Sequence, residues 1–296
     1  MPAPEFNQTS YSALIAENAP PASLVGTVQA TDPDAPVTYS IVSGNEDGRF
    51  GINRATGEVR TAAGLDHETG SGAVLVIAAT DAAAEQSTVE FTIAVSDIDE
   101  APTGAPVTFF VDENKEAGTV VGVVAATDPE GAEVSYKLAS AVPFAVDTVT
   151  GQVTTTEELD HEARPSYELD IIATDQTGNS SLLSAVVTVG DVDEPPAATA
   201  AATLSVGENL VAGAPVGAVV TTDPEGAALT YSLATVDVPF AVAPDGAITT
   251  TSPLDREAIP SYDLTINASD GLNNTPLSAT VAVTDADEAP VNRTAG

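Results

Sequence analysis

Thr88-Val89-Glu90-Phe91-Thr92-Ile93-Ala94-Val95 alternates polar with apolar residues and then runs into Asp97-Ile98-Asp99-Glu100. A period of two is that of a strand with one face on a core and one in water. Working outward, Val74-Leu75-Val76-Ile77-Ala78-Ala79-Thr80 reads as a second strand. Thr56-Gly57, Thr150-Gly151 and Asp245-Gly246 are turn signals between further short runs rich in Val, Ile, Thr and Ala. The pattern gives about seven short strands in each stretch of about 95 residues and no capped helix of period 3.6, which predicts an all-β, two-sheet sandwich.

The same phrases return at one spacing along the chain. Glu17-Asn18 recurs as Glu113-Asn114 and Glu208-Asn209, and Thr31-Asp32-Pro33 as Thr127-Asp128-Pro129 and Thr222-Asp223-Pro224. Leu65-Asp66-His67-Glu68 recurs as Leu159-Asp160-His161-Glu162 and Leu254-Asp255-Arg256-Glu257. Each copy closes on an acidic block, Asp97-Ile98-Asp99-Glu100, Asp191-Val192-Asp193-Glu194 and Asp285-Ala286-Asp287-Glu288, soon followed by Pro. Fixed-period self-similarity is the mark of a repeat architecture. Three tandem sandwiches are expected, over residues 1–101, 102–196 and 197–296, with boundaries near Ala101 and Pro196.

Composition narrows the chemistry. The 296 residues carry 8 Lys and Arg against 44 Asp and Glu, a net charge of −36. Nucleic acid and anionic bilayers are repelled by such a field. With 43% hydrophobic residues the chain can still bury cores. There is no Cys and there are only two His, so disulfides and the usual Cys/His zinc sites are excluded. No apolar run approaches the ~20 residues of a membrane helix, so no direct membrane insertion is expected, and any export signal lies outside the stretch.

Isolated acidic loops are commonly just solvated, but these recur in phase. Stacking the sandwiches end to end places Glu17, Asp66 and Glu68 at the lower pole of the first copy, near the linker Asp97–Glu100. Asp128, Glu130 and Asp175 then fall at the upper pole of the second. So many carboxylates repel unless divalent cations neutralise them, and carboxylate oxygens suit Ca²⁺.

These residues resemble the cadherin repeat family, whose tandem Greek-key, immunoglobulin-like sandwiches bind Ca²⁺ between successive domains. The resemblance implies that Glu17, Asp66, Glu68 and Glu100 hold one ion. A second would be shared by Glu17, Glu68, Asp97, Glu100, Glu130 and the Ile98 carbonyl, and a third by Asp99, Asp128, Glu130, Asp175 and the Ala101 carbonyl. The second junction repeats this with Glu113, Asp160, Glu162, Asp191, Val192, Asp193, Glu194, Pro195, Asp223, Glu225 and Asp270. Glu208, Asp255, Glu257, Asp285, Asp287 and Glu288 form a lower half-site, and Asp32, Asp34 and Asp81 an upper one. The half-sites imply a segment of a longer protein. The linkers read Asp-x-Asp-Glu rather than Asp-x-Asn-Asp-Asn and there is no Trp, which resembles bacterial cadherin-like adhesins more than animal adhesion proteins.

Competing chemistry finds little support. There is no EF-hand loop, Gly-x-Ser-x-Gly elbow, P-loop or dinucleotide fingerprint. Asp66, His67 and Glu68 could suggest acid–base catalysis, but His67 and His161 become Arg256 in the third copy, as a solvated neighbour of ligands would. Asn7-Gln8-Thr9, Asn179-Ser180-Ser181, Asn267-Ala268-Ser269, Asn273-Asn274-Thr275 and Asn292-Arg293-Thr294 match a glycosylation sequon, a pattern short enough to occur by chance. Tyr39, Tyr136 and Tyr231 recur in phase as core or rim tyrosines. The expected function is a non-enzymatic, calcium-stiffened spacer of a large exported surface adhesin. The alternative is a module that binds polysaccharide or, homophilically, another cell-surface protein. Aromatic residues at 4% disfavour the sugar reading.

Overall fold

The computed structural model describes residues 2–33 and 36–287. All regular structure among them is β-strand. The first repeat contains β1 (Glu5–Phe6), β2 (Tyr11–Ala16), β3 (Leu24–Thr27), β4 (Ala30–Thr31), β5 (Thr38–Ser43), β6 (Phe50–Ile52), β7 (Glu58–Thr61), β8 (Gly72–Thr80) and β9 (Gln86–Ser96). Its two sheets are ordered β2-β9-β8-β5 and β3-β7-β6, with a short β1-β4 ribbon beside them. β2 runs parallel to β9, Tyr11 opposite Phe91, so the first and last long strands cannot be joined by a hairpin. The sheets are therefore wound as a Greek key.

The middle repeat supplies β10 (Val107–Asp112), β11 (Val120–Val123), β12 (Ser135–Leu138), β13 (Phe144–Val146), β14 (Gln152–Thr155), β15 (Ser166–Thr174) and β16 (Ser180–Gly190). The last supplies β17 (Ala202–Gly207), β18 (Pro215–Ala218), β19 (Thr230–Leu233), β20 (Phe240–Val242), β21 (Ala247–Thr250), β22 (Ser261–Ser269) and β23 (Asn274–Thr284). Sheet orders repeat those of the first copy: β10-β16-β15-β12 with β11-β14-β13, and β17-β23-β22-β19 with β18-β21-β20.

Alternation fixes the faces. On β9, Val89, Phe91, Ile93 and Val95 point inward and pack with Leu75, Ile77, Val59 and Phe50, all buried. On β22 and β23, Leu264, Ile266, Leu277, Val281 and Val283 build the equivalent core of the last copy. Burying each such side chain contributes about 1.5–3 kcal/mol. The recurring tyrosines are core residues with a polar tip. The hydroxyls of Tyr39, Tyr136 and Tyr231 accept the backbone amides of Ala30, Ala126 and Thr221 at 2.9, 2.9 and 3.0 Å.

By proximity of Cα atoms the chain divides into two units. One runs to Thr108 and adds Val120–Thr154 and Glu168–Val186; the other combines Phe109–Thr119, Thr155–Tyr167 and the chain from Val187 onward. The first acidic linker, with the residues facing it, lies inside the first unit, and the second inside the other.

Candidate metal centres

The Glu of each Glu-Asn phrase immediately follows the first long strand of its repeat and is buried, Glu17, Glu113 and Glu208 being only 3, 2 and 2% exposed. The following Asn114 and Asn209 adopt left-handed backbone, φ +57° and +58°, which Asn tolerates better than most residues. Each buried carboxylate clamps two backbone segments. Glu17 Oε2 accepts the His67 amide at 2.6 Å and Oε1 the Ile98 amide at 2.5 Å. Glu113 does the same with His161 and Val192, and Glu208 with Arg256 and Ala286, both at 2.8 Å in the last case. The amides of Ala286 and Arg256 hold the Glu208 carboxyl below the usual range. One glutamate thus fixes both the Leu-Asp-x-Glu loop and the linker.

Within that loop, Leu65, Leu159 and Leu254 anchor in the cores. Asp66, Asp160 and Asp255 cap the next turn through the amides of Thr69, Ala163 and Ala258 at 2.8, 2.6 and 2.9 Å. The result gathers carboxylate oxygens. Glu17, Asp66 and Glu68 lie within 4.8 Å of one another, as do Glu68, Glu100 and Glu130, and, at the second junction, Glu113, Asp160 and Glu162.

On the opposite side the aspartates are split between two tasks. Asp128 Oδ1 accepts the Ala132 amide, and Asp175 Oδ1 those of Thr177, Gly178 and Asn179. Asp223 and Asp270 repeat the pattern with Ala227 and with Leu272 and Asn273. The second oxygen of each of these four, Oδ2, is buried without a hydrogen-bond partner, and so are Glu100 Oε2, Glu130 Oε1 and both oxygens of Glu225. A buried carboxylate oxygen left unpaired is costly unless a cation meets it. The donor set, all oxygen and partly flexible, fits Ca²⁺.

Crowding also shows in acidity. A hydrogen bond to Glu130, then burial and the charges of Glu17, Glu130 and Glu68, push the Glu100 carboxyl up to about 7. At the second junction the nearness of Glu225, then burial and the charge of Glu113, raise Glu194, also to about 7. Burial, then Asp270, Glu225 and Asp223, raises Asp193. Two carboxylates facing each other bond only by holding a proton between them, the position a divalent ion competes for.

The linker aspartates Asp99 and Asp193 meet partners that the motifs did not single out. Asn179 Nδ2 and Thr177 Oγ1 donate to Asp99 Oδ2, and Asn273 Nδ2 donates to Asp193 Oδ2 at 2.6 Å. Ser181 and Thr275 hydroxyls donate to the carbonyls of Pro102 and Pro196, and Asn114 Nδ2 to Glu194 Oε1. Asn179-x-Ser181 and Asn273-x-Thr275 are therefore junction contacts, and their common phase in the second and third copies was the available signal. Ile98 and Val192 join the site through their amides; Ala101 is half-buried and Pro195 exposed. Asp97 and Asp191 gather with His67 and Glu68, and with His161 and Glu162. In the last copy Arg256 Nη1 lies 3.3 Å from Asp285, and Glu257 sits beside Glu208. Glu288 and Asp34 lie outside the described residues.

Tandem Greek-key sandwiches with acidic junctions define a class of extracellular repeat proteins. The chain matches the cadherin domain model at residues 11–96, 107–190 and 202–292, and it belongs to that family. It is 34% identical over 313 residues to human Protocadherin-16, covering 97% of this chain and 9% of that protein. To Cadherin-99C of Drosophila melanogaster it is 34% identical over 202 residues, covering 65% and 12%. The chain thus spans about a tenth of these relatives' length. Among solved structures, mouse Cadherin-23 EC22-24 is 26% identical, covers 96% of this chain and 99% of that one, and superimposes with a TM-score of 0.64. Cadherin domains are extracellular adhesion modules that bind Ca²⁺ in their linkers.

Proposed function

We propose that the chain is a calcium-binding, calcium-stiffened, non-enzymatic segment of an exported surface adhesin, with repeat boundaries near Ala101 and Pro196. The observation that carries this is the set of partnerless, buried carboxylate oxygens on Glu100, Asp128, Glu130 and Asp175, repeated on Asp223, Glu225 and Asp270. Glu17, Asp66, Glu68, Asp97, Asp99, Glu100, Asp128, Glu130 and Asp175 would hold the ions of the first junction, with Ile98 and Ala101 offering carbonyls. Their counterparts hold those of the second. Bound Ca²⁺ supplies the positive charge that so acidic a site lacks. Glu17 and Glu113, each clamping a loop and a linker, transmit that order to the backbone. The Asp-x-Asp-Glu linkers support placement in a large bacterial-type adhesin. Small-angle scattering tests stiffening: adding Ca²⁺ narrows the distribution of maximum dimension, and Asp99→Asn with Glu100→Gln undoes only part of the narrowing. A profile indifferent to calcium refutes the spacer reading and leaves partner binding, as cadherin surfaces do, in its place.

A further inference from the structure

Besides the all-oxygen clusters, the first two copies each gather an imidazole with two carboxylates. His67 Nδ1 lies 3.3 Å from Glu68 Oε1 and 3.8 Å from Asp97 Oδ2. His161, Glu162 and Asp191 form the same grouping, with ligand atoms within 4.8 Å of one another. A tetrahedral ion bound at about 2.1 Å sets its ligands on an edge of about 3.4 Å, close to the two distances at His67. At His161 the ring is already oriented: Nδ1 sits 2.8 Å from the Val189 carbonyl and donates to it, so Nε2 is the nitrogen that would meet an ion there, whereas at His67 it is Nδ1. A carbonyl bonded to one ring nitrogen while the other binds metal is the usual support of a metal-ligating histidine. The third copy breaks the pattern, for Arg256 takes the histidine's place and pairs with Asp285 at 3.3 Å.

We propose that His67 with Glu68 and Asp97, and His161 with Glu162 and Asp191, form two sites for a borderline divalent transition ion of the zinc class. Imidazole nitrogen with carboxylate oxygen suits Zn²⁺, Co²⁺ or Ni²⁺, whereas Ca²⁺ takes oxygen alone. Because Glu68, Asp97, Glu162 and Asp191 also belong to the calcium clusters, the transition ion competes with calcium at both junctions. Arg256 cannot ligate, so the third copy lacks this site.

The test is calorimetric titration of the intact chain with ZnCl₂ in calcium-free buffer and again with calcium present, with Co²⁺ absorption as a second readout. Two zinc ions bind per chain. His67→Gln and His161→Gln each lose one, the double variant loses both, and Arg256→His gains a third. Calcium weakens zinc binding, while the histidine variants still take calcium. Failure of zinc to bind, or zinc binding unchanged by the histidine variants, overturns the proposal and leaves the imidazoles as ion-pair partners only. The calcium reading is scored separately by a calcium titration of the same samples, so each can fail alone.

Discussion

The Glu113 carboxylate accepts the Val192 amide at 2.8 Å across 79 positions of sequence while remaining 2% exposed. Its other oxygen takes the His161 amide, so one buried side chain ties a strand end, a loop and a linker together. Hydrogen bonds to a charged group contribute about 1.5–3 kcal/mol each, and leaving their donors buried and unpaired costs more. Glu113→Ala is expected to lower stability by about 3 kcal/mol or more in calcium-free urea unfolding. Glu168→Ala, on an exposed position of β15, stays within about 0.5 kcal/mol.

Proton competition follows from Glu100 and Glu194, raised from the ordinary 4.5 to about 7 by Glu130 and Glu225. A carboxyl whose folded value is raised contributes stability that is present below 4.5 and lost as pH climbs through about 7. Calcium-free protein is therefore more stable at pH 5.5 than at pH 8. Calcium acts in the opposite sense, because it displaces that proton, so its affinity falls from pH 8 to pH 6. Thermal melts and calcium titrations across this range check both signs; Glu100→Gln flattens the dependence at the first junction only.

Backbone geometry makes another prediction. Gly151 has φ +69°, and an added Cβ would stand 2.2 Å from the Val124 carbonyl oxygen; Gly57 and Gly246 repeat this against Val28 and Val219. Gly131, at φ +78°, opens onto free space. Left-handed strain alone costs about 1–2 kcal/mol, so Gly131→Ala loses that much. Gly151→Ala is expected to lose at least twice as much, as read by the urea midpoint.

The sandwich and its acidic ends were legible because their signals are local. Alternation in Thr88–Val95 predicted β9, and Leu65-Asp66-His67-Glu68 announced its loop by recurring in phase. What escaped depends on contacts some 80 positions apart, such as Asn179 on Asp99 and Asn273 on Asp193. The clamp formed by Glu17 was hidden for a different reason: a glutamate that accepts two amides and one that faces an ion present the same letter. The β1–β4 pair of Glu5–Phe6 with Ala30–Thr31 is too short to leave a periodic trace, and in the middle repeat it survives as a single bridge between Thr103 and Thr127.

Calcium binding at the junctions is the central claim, and calorimetric titration of the intact chain tests it most directly. Saturable binding is expected with dissociation constants of about 10⁻⁵–10⁻³ M, the range of weaker sensor and extracellular sites, and with Mg²⁺ a poor substitute. Asp175→Asn, which alters a side chain with one oxygen in the loop and one partnerless, weakens only the first junction, and Asp270→Asn only the second. No calcium heat, equal affinity for Mg²⁺, or calcium binding untouched by both substitutions together would contradict the account.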